Sequence, residues 1–90
     1  MDKQDLHKKL QQLHTEFQQL ELVDEKERDI LQQLMADIQE LLEQEEGYQV
    51  HRYKRLGERL RESIKQFEVS HPRLTMMMGQ TIDMLATMGI

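Results

Sequence analysis

The stretch LHKKLQQLHTEFQQL, residues 6–20, carries the pattern on which the fold depends. Its apolar residues recur at alternating spacings of four and three: Leu6, Leu10, Leu13, Phe17 and Leu20. Because an α-helix turns once every 3.6 residues, this spacing places all of them on one stripe, while Gln, Lys and Glu fill the other faces. The stretch therefore predicts an amphipathic helix over residues 2–20.

The same periodicity returns three more times along the chain. The apolar residues that carry it are Leu31, Leu34, Ile38 and Leu41 in a second stripe, Tyr53, Leu56, Leu60, Ile64 and Phe67 in a third, and Leu74, Met78, Ile82, Leu85 and Met88 in a fourth. These stripes predict further helices over residues 25–46, 52–68 and 72–88. Gly57 interrupts the third stripe and is expected to cost about 1 kcal/mol relative to alanine.

Two local signals mark the ends of the second helix. Asp24 followed three residues later by Glu27 fits a capping box in its Asp form, in which each side chain accepts a hydrogen bond from the other residue's backbone. Gly47 fits the C′ position beyond the helix, where a left-handed conformation is common.

A structural turn is predicted between the third and fourth helices at Ser70, His71 and Pro72. Proline lacks a backbone N–H and restricts the preceding residue to extended conformations, so Pro72 must break the helix or begin a new one. We expect Ser70 or His71 to cap the last helix, with Pro72 in its first turn.

Four helices joined by short connections predict one all-α domain over residues 1–90, folded as an antiparallel up-down bundle. Two helical hairpins that pair across a dimer satisfy the same pattern. The formal net charge is −5, but residues 1–46 are mainly acidic and residues 47–73 mainly basic. An acidic second helix packed against a basic third helix explains this asymmetry without a ligand.

The composition excludes several classes of protein. No cysteine is present, which removes disulfides, thiolate zinc sites and catalytic thiols. No apolar run resembles a secretory signal or is long enough to span a membrane, so a cytoplasmic location and no membrane partner are expected. No phosphate-binding loop or nucleophile–base pair is recognisable, and we therefore expect a protein that is not an enzyme, with no cofactor and no known small-molecule ligand.

The last segment is unusual because it is apolar around the whole helix. Met76, Met77 and Met78 are consecutive, so they cannot all face one core. One interpretation is a central helix with ordinary exposed methionines. The other is a surface for self-association, as a dimer or larger homo-oligomer, or for a protein partner. The candidate interface residues are Leu74, Met76, Met77, Met78, Ile82, Met84, Leu85 and Met88.

Alternative binding functions rest on weaker patterns. His71 with Met76–Met78 supplies soft ligands for copper, which gives a small ligand- or metal-binding bundle as the alternative function. His7 and His14 lie seven residues apart, a spacing that favours boundary positions on a helix over metal binding. The basic residues of the third helix alternate with Glu58 and Glu62, so we expect a solvated face and no nucleic-acid partner.

Several elements together resemble a family of short bacterial proteins known only as a domain of unknown function. They are a leucine-rich start from Leu6 to His14, the segment from Asp37 to Leu42, the element FEVSHP from Phe67 to Pro72, and MGI from Met88 to Ile90. The resemblance spans nearly the whole chain and implies a bacterial source. It supplies no reaction, ligand or catalytic residue.

Overall fold

The computed structural model describes residues 3–43 and 50–89, and within them four α-helices form an all-α bundle. The helices are α1 (Lys3–Gln19), α2 (Glu25–Glu43), α3 (Val50–Phe67) and α4 (Pro72–Thr87). Where a predicted limit falls on described residues, it differs from these bounds by at most two positions. The predicted start at Asp2, the end of the second helix at Glu46 and the C′ role of Gly47 lie outside the described residues.

The helices form a ring in which each contacts the two beside it. The contacting pairs are α1 with α2, α2 with α3, α3 with α4, and α4 with α1, while the diagonal pairs do not meet in the described part of the chain. Ion pairs show that α2 and α3 are antiparallel, since Asp37 of α2 contacts Arg59 of α3 whereas Glu40, further along α2, contacts the earlier residue Arg52. These contacts confirm the expected neutralisation of acidic α2 by basic α3.

The core is built from the predicted stripes. Its fully enclosed members include four residues from α1, four from α2, four from α3 and three from α4: Leu6, Leu10, Leu13, Phe17, Leu31, Leu34, Ile38, Leu41, Tyr53, Leu56, Leu60, Phe67, Leu74, Met78 and Leu85. Burial of these apolar side chains supplies most of the favourable free energy of folding.

Four members of the predicted stripes lie at the edge of the core. Leu20, Ile64, Ile82 and Met88 are only partly buried, and buried positions on α3 and α4 are instead taken by Ser63 and Thr81. Both hydroxyls donate to a carbonyl oxygen four residues earlier in their own helix, at 2.6 Å for Ser63 and 3.0 Å for Thr81. A hydroxyl whose hydrogen bond is made within its own helix can be buried at little cost in free energy. A sequence pattern based only on apolar residues does not predict such positions.

Gly57 lies at the contact between α3 and α4. The residue is buried, and a Cβ atom built on it would lie 3.4 Å from Cδ1 of Leu85. The glycine inside the third stripe thus faces the neighbouring helix at van der Waals distance.

Candidate functional site

The structure divides the eight candidate interface residues of α4 between the core and the surface. Leu74, Met78 and Leu85 are buried within the single chain and are therefore inaccessible to a partner while the bundle is closed. The half-buried residues, which pack against the core with part of their surface, are Met77, Ile82, Met84 and Met88. Met76 points outward and is 60% exposed. The three consecutive methionines thus have three different environments.

The outward face of α4 is defined by its exposed residues at helical spacing: Arg73, Met76, Gln80, Asp83 and Thr87. This face is left open because α4 contacts α1 on one side and α3 on the other, and no described helix covers it. Arg73 and Asp83 are the only charged residues of α4. Gly79 adjoins the face, and a Cβ atom placed on it would meet nothing within 4 Å.

Neighbouring helices hold this face in position without neutralising it. Lys9 of α1 donates a hydrogen bond to Gln80 Oε1. Arg73 Nε lies 3.8 Å from Glu16 Oε1, but the Arg73 side chain remains 80% exposed. Asp83 forms no ion pair with any residue that the structure describes. The two charges of α4 are therefore available at its surface.

Two other strongly exposed apolar side chains lie in the connections at one end of the bundle. Leu22, between α1 and α2, is 86% exposed, and Val69, between α3 and α4, is 91% exposed. Each is an isolated residue on a short connection, whereas Met76 lies on a continuous helical face. Single exposed apolar residues are common on protein surfaces.

The carboxylate of Glu27 anchors the predicted structural turn, although the sequence predicts for it only a capping role at the start of α2. Glu27 is 7% exposed, and its capping box with Asp24 is confirmed: Asp24 N–H donates to Glu27 Oε1 at 3.1 Å, and Glu27 N–H donates to Asp24 Oδ1 at 2.7 Å. The second carboxylate oxygen of Glu27 accepts a hydrogen bond from Ser70 Oγ at 2.8 Å. One side chain thus joins the α1–α2 connection to the α3–α4 connection.

The predicted cap of α4 is confirmed in position, but it is not made by a side chain. His71 occupies the N-cap position, but its side chain caps no backbone N–H in the described part of the chain. The hydroxyl of Ser70 is engaged by Glu27, and the His71 ring packs edge-on against Phe67 with a centroid distance of 5.8 Å. Pro72 at the start of α4 removes one N–H that would otherwise need a partner.

The Ser70 hydroxyl is held by two neighbouring side chains. Ser70 has one hydroxyl proton, and it is donated to Glu27. The 2.9 Å contact between Ser70 Oγ and His71 Nδ1 fits the imidazole tautomer that carries its proton on Nδ1 and donates it to the oxygen. The arrangement stabilises the turn.

The proposed soft-metal ligands do not converge. Met78 points into the core and Met76 points to solvent, so their sulfur atoms cannot reach one ion. Within residues 3–43 and 50–89, no three His, Cys, Asp or Glu side chains are grouped to hold a metal. His7 and His14 are both half-buried at the edge of α1, as their spacing indicates. His7 Nε2 is buried without a hydrogen bond to a described residue.

The clefts of the bundle lie between neighbouring helices and are open to solvent. One, of about 460 Å³, runs between α1 and α4 and is lined in part by Lys8, Thr15, Arg73 and Met77. Another, of about 210 Å³, lies between α2 and α3 beside Arg59. Neither is lined by His71. In the part of the chain that the structure describes, no helix has the length and apolarity needed to cross a membrane.

Comparison with known proteins identifies a family but supplies no activity. No curated protein and no solved structure matched the chain. One family model matched residues 6–90, and it is described as a domain of unknown function, DUF4404. The matched range contains the stripes of all four helices, both residues of the Asp24–Glu27 capping box and the turn at Ser70 to Pro72. The chain belongs to this family of unknown function, as its resemblance to such a family indicated.

Proposed function

We propose that this protein is a non-enzymatic helical interaction module that acts by self-association, or by docking a protein partner, through the outward face of α4. The observation that carries the proposal is the 60% exposure of Met76 on a helix face that no other described element covers. α4 is the most apolar of the four helices and contains only two charged residues.

The chemistry of this face supports binding to another protein surface. Methionine has a flexible, polarisable side chain that adapts to the shape of a partner. Covering a side chain of this size removes apolar surface from water and contributes about 1–2 kcal/mol. Met77, Ile82 and Met84 flank the outward face of α4. They are only partly covered by α1 and α3, so their exposed atoms would enlarge the apolar contact with a partner.

The polar cluster at the turn supports the non-enzymatic part of the proposal. Glu27, Ser70 and His71 are all hydrogen-bonded to one another or to backbone groups, and the serine proton is committed to the carboxylate. Their geometry fixes two connections of the bundle.

Self-association is tested by measuring molar mass as a function of concentration. We expect the wild-type chain to shift from monomer toward dimer in light scattering or sedimentation as concentration rises from micromolar to millimolar. Met76→Glu is expected to weaken the association at least tenfold, which corresponds to about 1.4 kcal/mol. The substitution lies on an exposed helix position and should leave the helical signal and thermal midpoint nearly unchanged.

Leu22→Glu is the matched control. It replaces an even more exposed apolar residue with the same charge, but on the connection at the end of the bundle. It should leave association unchanged. Equal effects of the two substitutions would point to a general influence of charge, and an effect of Leu22→Glu alone would place the contact at the end of the bundle. A wild-type chain that remains monomeric throughout would remove the self-association part of the proposal.

A further inference from the structure

The distribution of charge among the helices indicates which face two copies of this chain can share. α2 carries six acidic and two basic residues, whereas α3 carries six basic and two acidic residues. A two-fold symmetric contact places the same face of each copy against the other. Two α2 faces, or two α3 faces, therefore meet with like charge, which costs free energy.

α4 avoids this repulsion because Arg73 and Asp83 balance one another. α1 also carries nearly balanced charge, with three basic and two acidic residues, but no large apolar side chain is strongly exposed on its described face. α4 thus combines near-zero charge with an exposed methionine. A second copy of a chain with net charge −5 meets the least repulsion there.

The positions of the two charges then select an orientation. Arg73 lies at the start of α4 and Asp83 in its second half. In a parallel pair of α4 helices, Arg73 faces Arg73 and Asp83 faces Asp83, so like charges repel. In an antiparallel pair, Arg73 of each chain approaches Asp83 of the other, and the helix dipoles also oppose one another favourably.

The midpoint of α4 suits the symmetry axis of such a pair. Arg73 of one copy lies directly opposite Asp83 of the other when the axis is level with residue 78, near the centre of the helix and next to Gly79. The space where a Cβ of Gly79 would lie is open, which lets a second backbone approach closely at this point. Met76 of one chain then lies opposite Gln80 of the other.

We propose, on the basis of the self-association above, that the partner of α4 is a second copy of this chain in an antiparallel, two-fold symmetric pair, with Arg73 of each copy facing Asp83 of the other. One helix face covers less than the area of about 800 Å² per partner that stable complexes usually bury. The dimer is accordingly weak, with a dissociation constant in the micromolar range or above. The surface ion pairs set the orientation more than the affinity.

A charge-exchange experiment tests the orientation. Sedimentation at low salt compares the wild-type chain with Arg73→Glu, Asp83→Lys and the double variant. Each single change places like charges together at two symmetric contacts, so dimerisation should weaken by about tenfold. The double variant restores both attractions and should return to within about threefold of wild type. Glu16→Gln controls for the loose contact of Arg73 within its own chain.

Cysteine cross-linking provides a second test of the orientation, because the natural chain contains no cysteine. Gln80→Cys places a thiol near the proposed axis and should form a disulfide-linked dimer readily. Thr87→Cys places it at the helix end, where antiparallel partners are about 27 Å apart by the helical rise, and should not cross-link.

The outcomes separate failure of the orientation from failure of self-association. Single variants that dimerise as wild type, with efficient Thr87→Cys cross-linking, would establish a parallel pair and overturn the proposal. A different contact, between α2 of one copy and α3 of another, would be indicated by two results together. The double variant would fail to restore the dimerisation lost in the single variants, and the molar mass would rise beyond that of a dimer. A monomer at every concentration would overturn both this inference and the self-association on which it rests.

Discussion

At the scale of single residues, Glu27 contributes more to the stability of the bundle than its position at the start of α2 indicates. Its carboxylate accepts one hydrogen bond from Asp24 N–H and another from Ser70 Oγ, and it is nearly inaccessible to water. A buried carboxylate is stable only when its oxygens are satisfied. The Ser70 hydroxyl is therefore part of the reason that Glu27 tolerates burial.

Glu27→Ala should destabilise the bundle by about 2 kcal/mol, because it removes the capping box and leaves Ser70 without its acceptor. Urea unfolding followed by circular dichroism measures this change. Glu25→Ala is the matched control: it removes an exposed carboxylate from the same first turn, and should cost less than about 0.5 kcal/mol. Equal costs for the two would reduce the role of Glu27 to an interaction with the helix dipole.

His71→Ala should cost about 1 kcal/mol, since the edge contact with Phe67 and the hydrogen bond to Ser70 are lost. Self-association should remain as in the wild type, because His71 lies outside the α4 face. Thermal unfolding and sedimentation on the same sample measure both properties. Full stability combined with lost association would make His71 an interface residue.

At the scale of the helices, the two described glycines inside α3 and α4 have different surroundings. A Cβ on Gly57 would contact Leu85 at 3.4 Å, whereas a Cβ on Gly79 would face open space. Nothing in the described part of the chain requires a glycine at position 79, although glycine is unfavourable inside a helix. The paired helices proposed above supply a reason, because a second backbone would approach at this point.

Gly79→Ala should therefore stabilise the monomer by up to about 1 kcal/mol through helix propensity while weakening the dimer. Unfolding at low concentration and sedimentation at high concentration separate the two effects. Gly57→Ala is the comparison: its Cβ would contact the flexible end of Leu85 at 3.4 Å, so a smaller stability change and no effect on association are expected. A tighter dimer in Gly79→Ala would exclude close approach at this residue.

At the scale of the whole molecule, α4 is at once part of the core and the proposed interface. Leu74, Met78 and Leu85 fill the core from this side, and their removal would uncover the side chains of α1 and α3. A chain that ends at Arg73 should thus lose cooperative unfolding and most of its helical signal. A folded, helical monomer from that truncation, seen by circular dichroism and light scattering, would show that α4 is dispensable for the bundle.

The sequence by itself predicted the all-α bundle and most of its core, because helical periodicity and capping signals depend on residues close together in the chain. The stripe from Leu6 to Phe17 and the Asp24–Glu27 capping box are examples of such local information. That no described side chain caps α4 shows the limit of such local information, because the Ser70 hydroxyl binds Glu27, 43 residues away. No local pattern connects two residues at that separation.

The candidate surface shows the same division between local and tertiary information. The sequence determined that α4 is apolar around its circumference and that three consecutive methionines must point in different directions. Only the tertiary structure decided that Met78 is core and Met76 is exposed, that Ser63 and Thr81 are buried, and that Gly57 lies beside Leu85 of α4. The physical reason is that periodicity specifies which residues share a face, whereas packing of the four helices specifies what lies opposite each face.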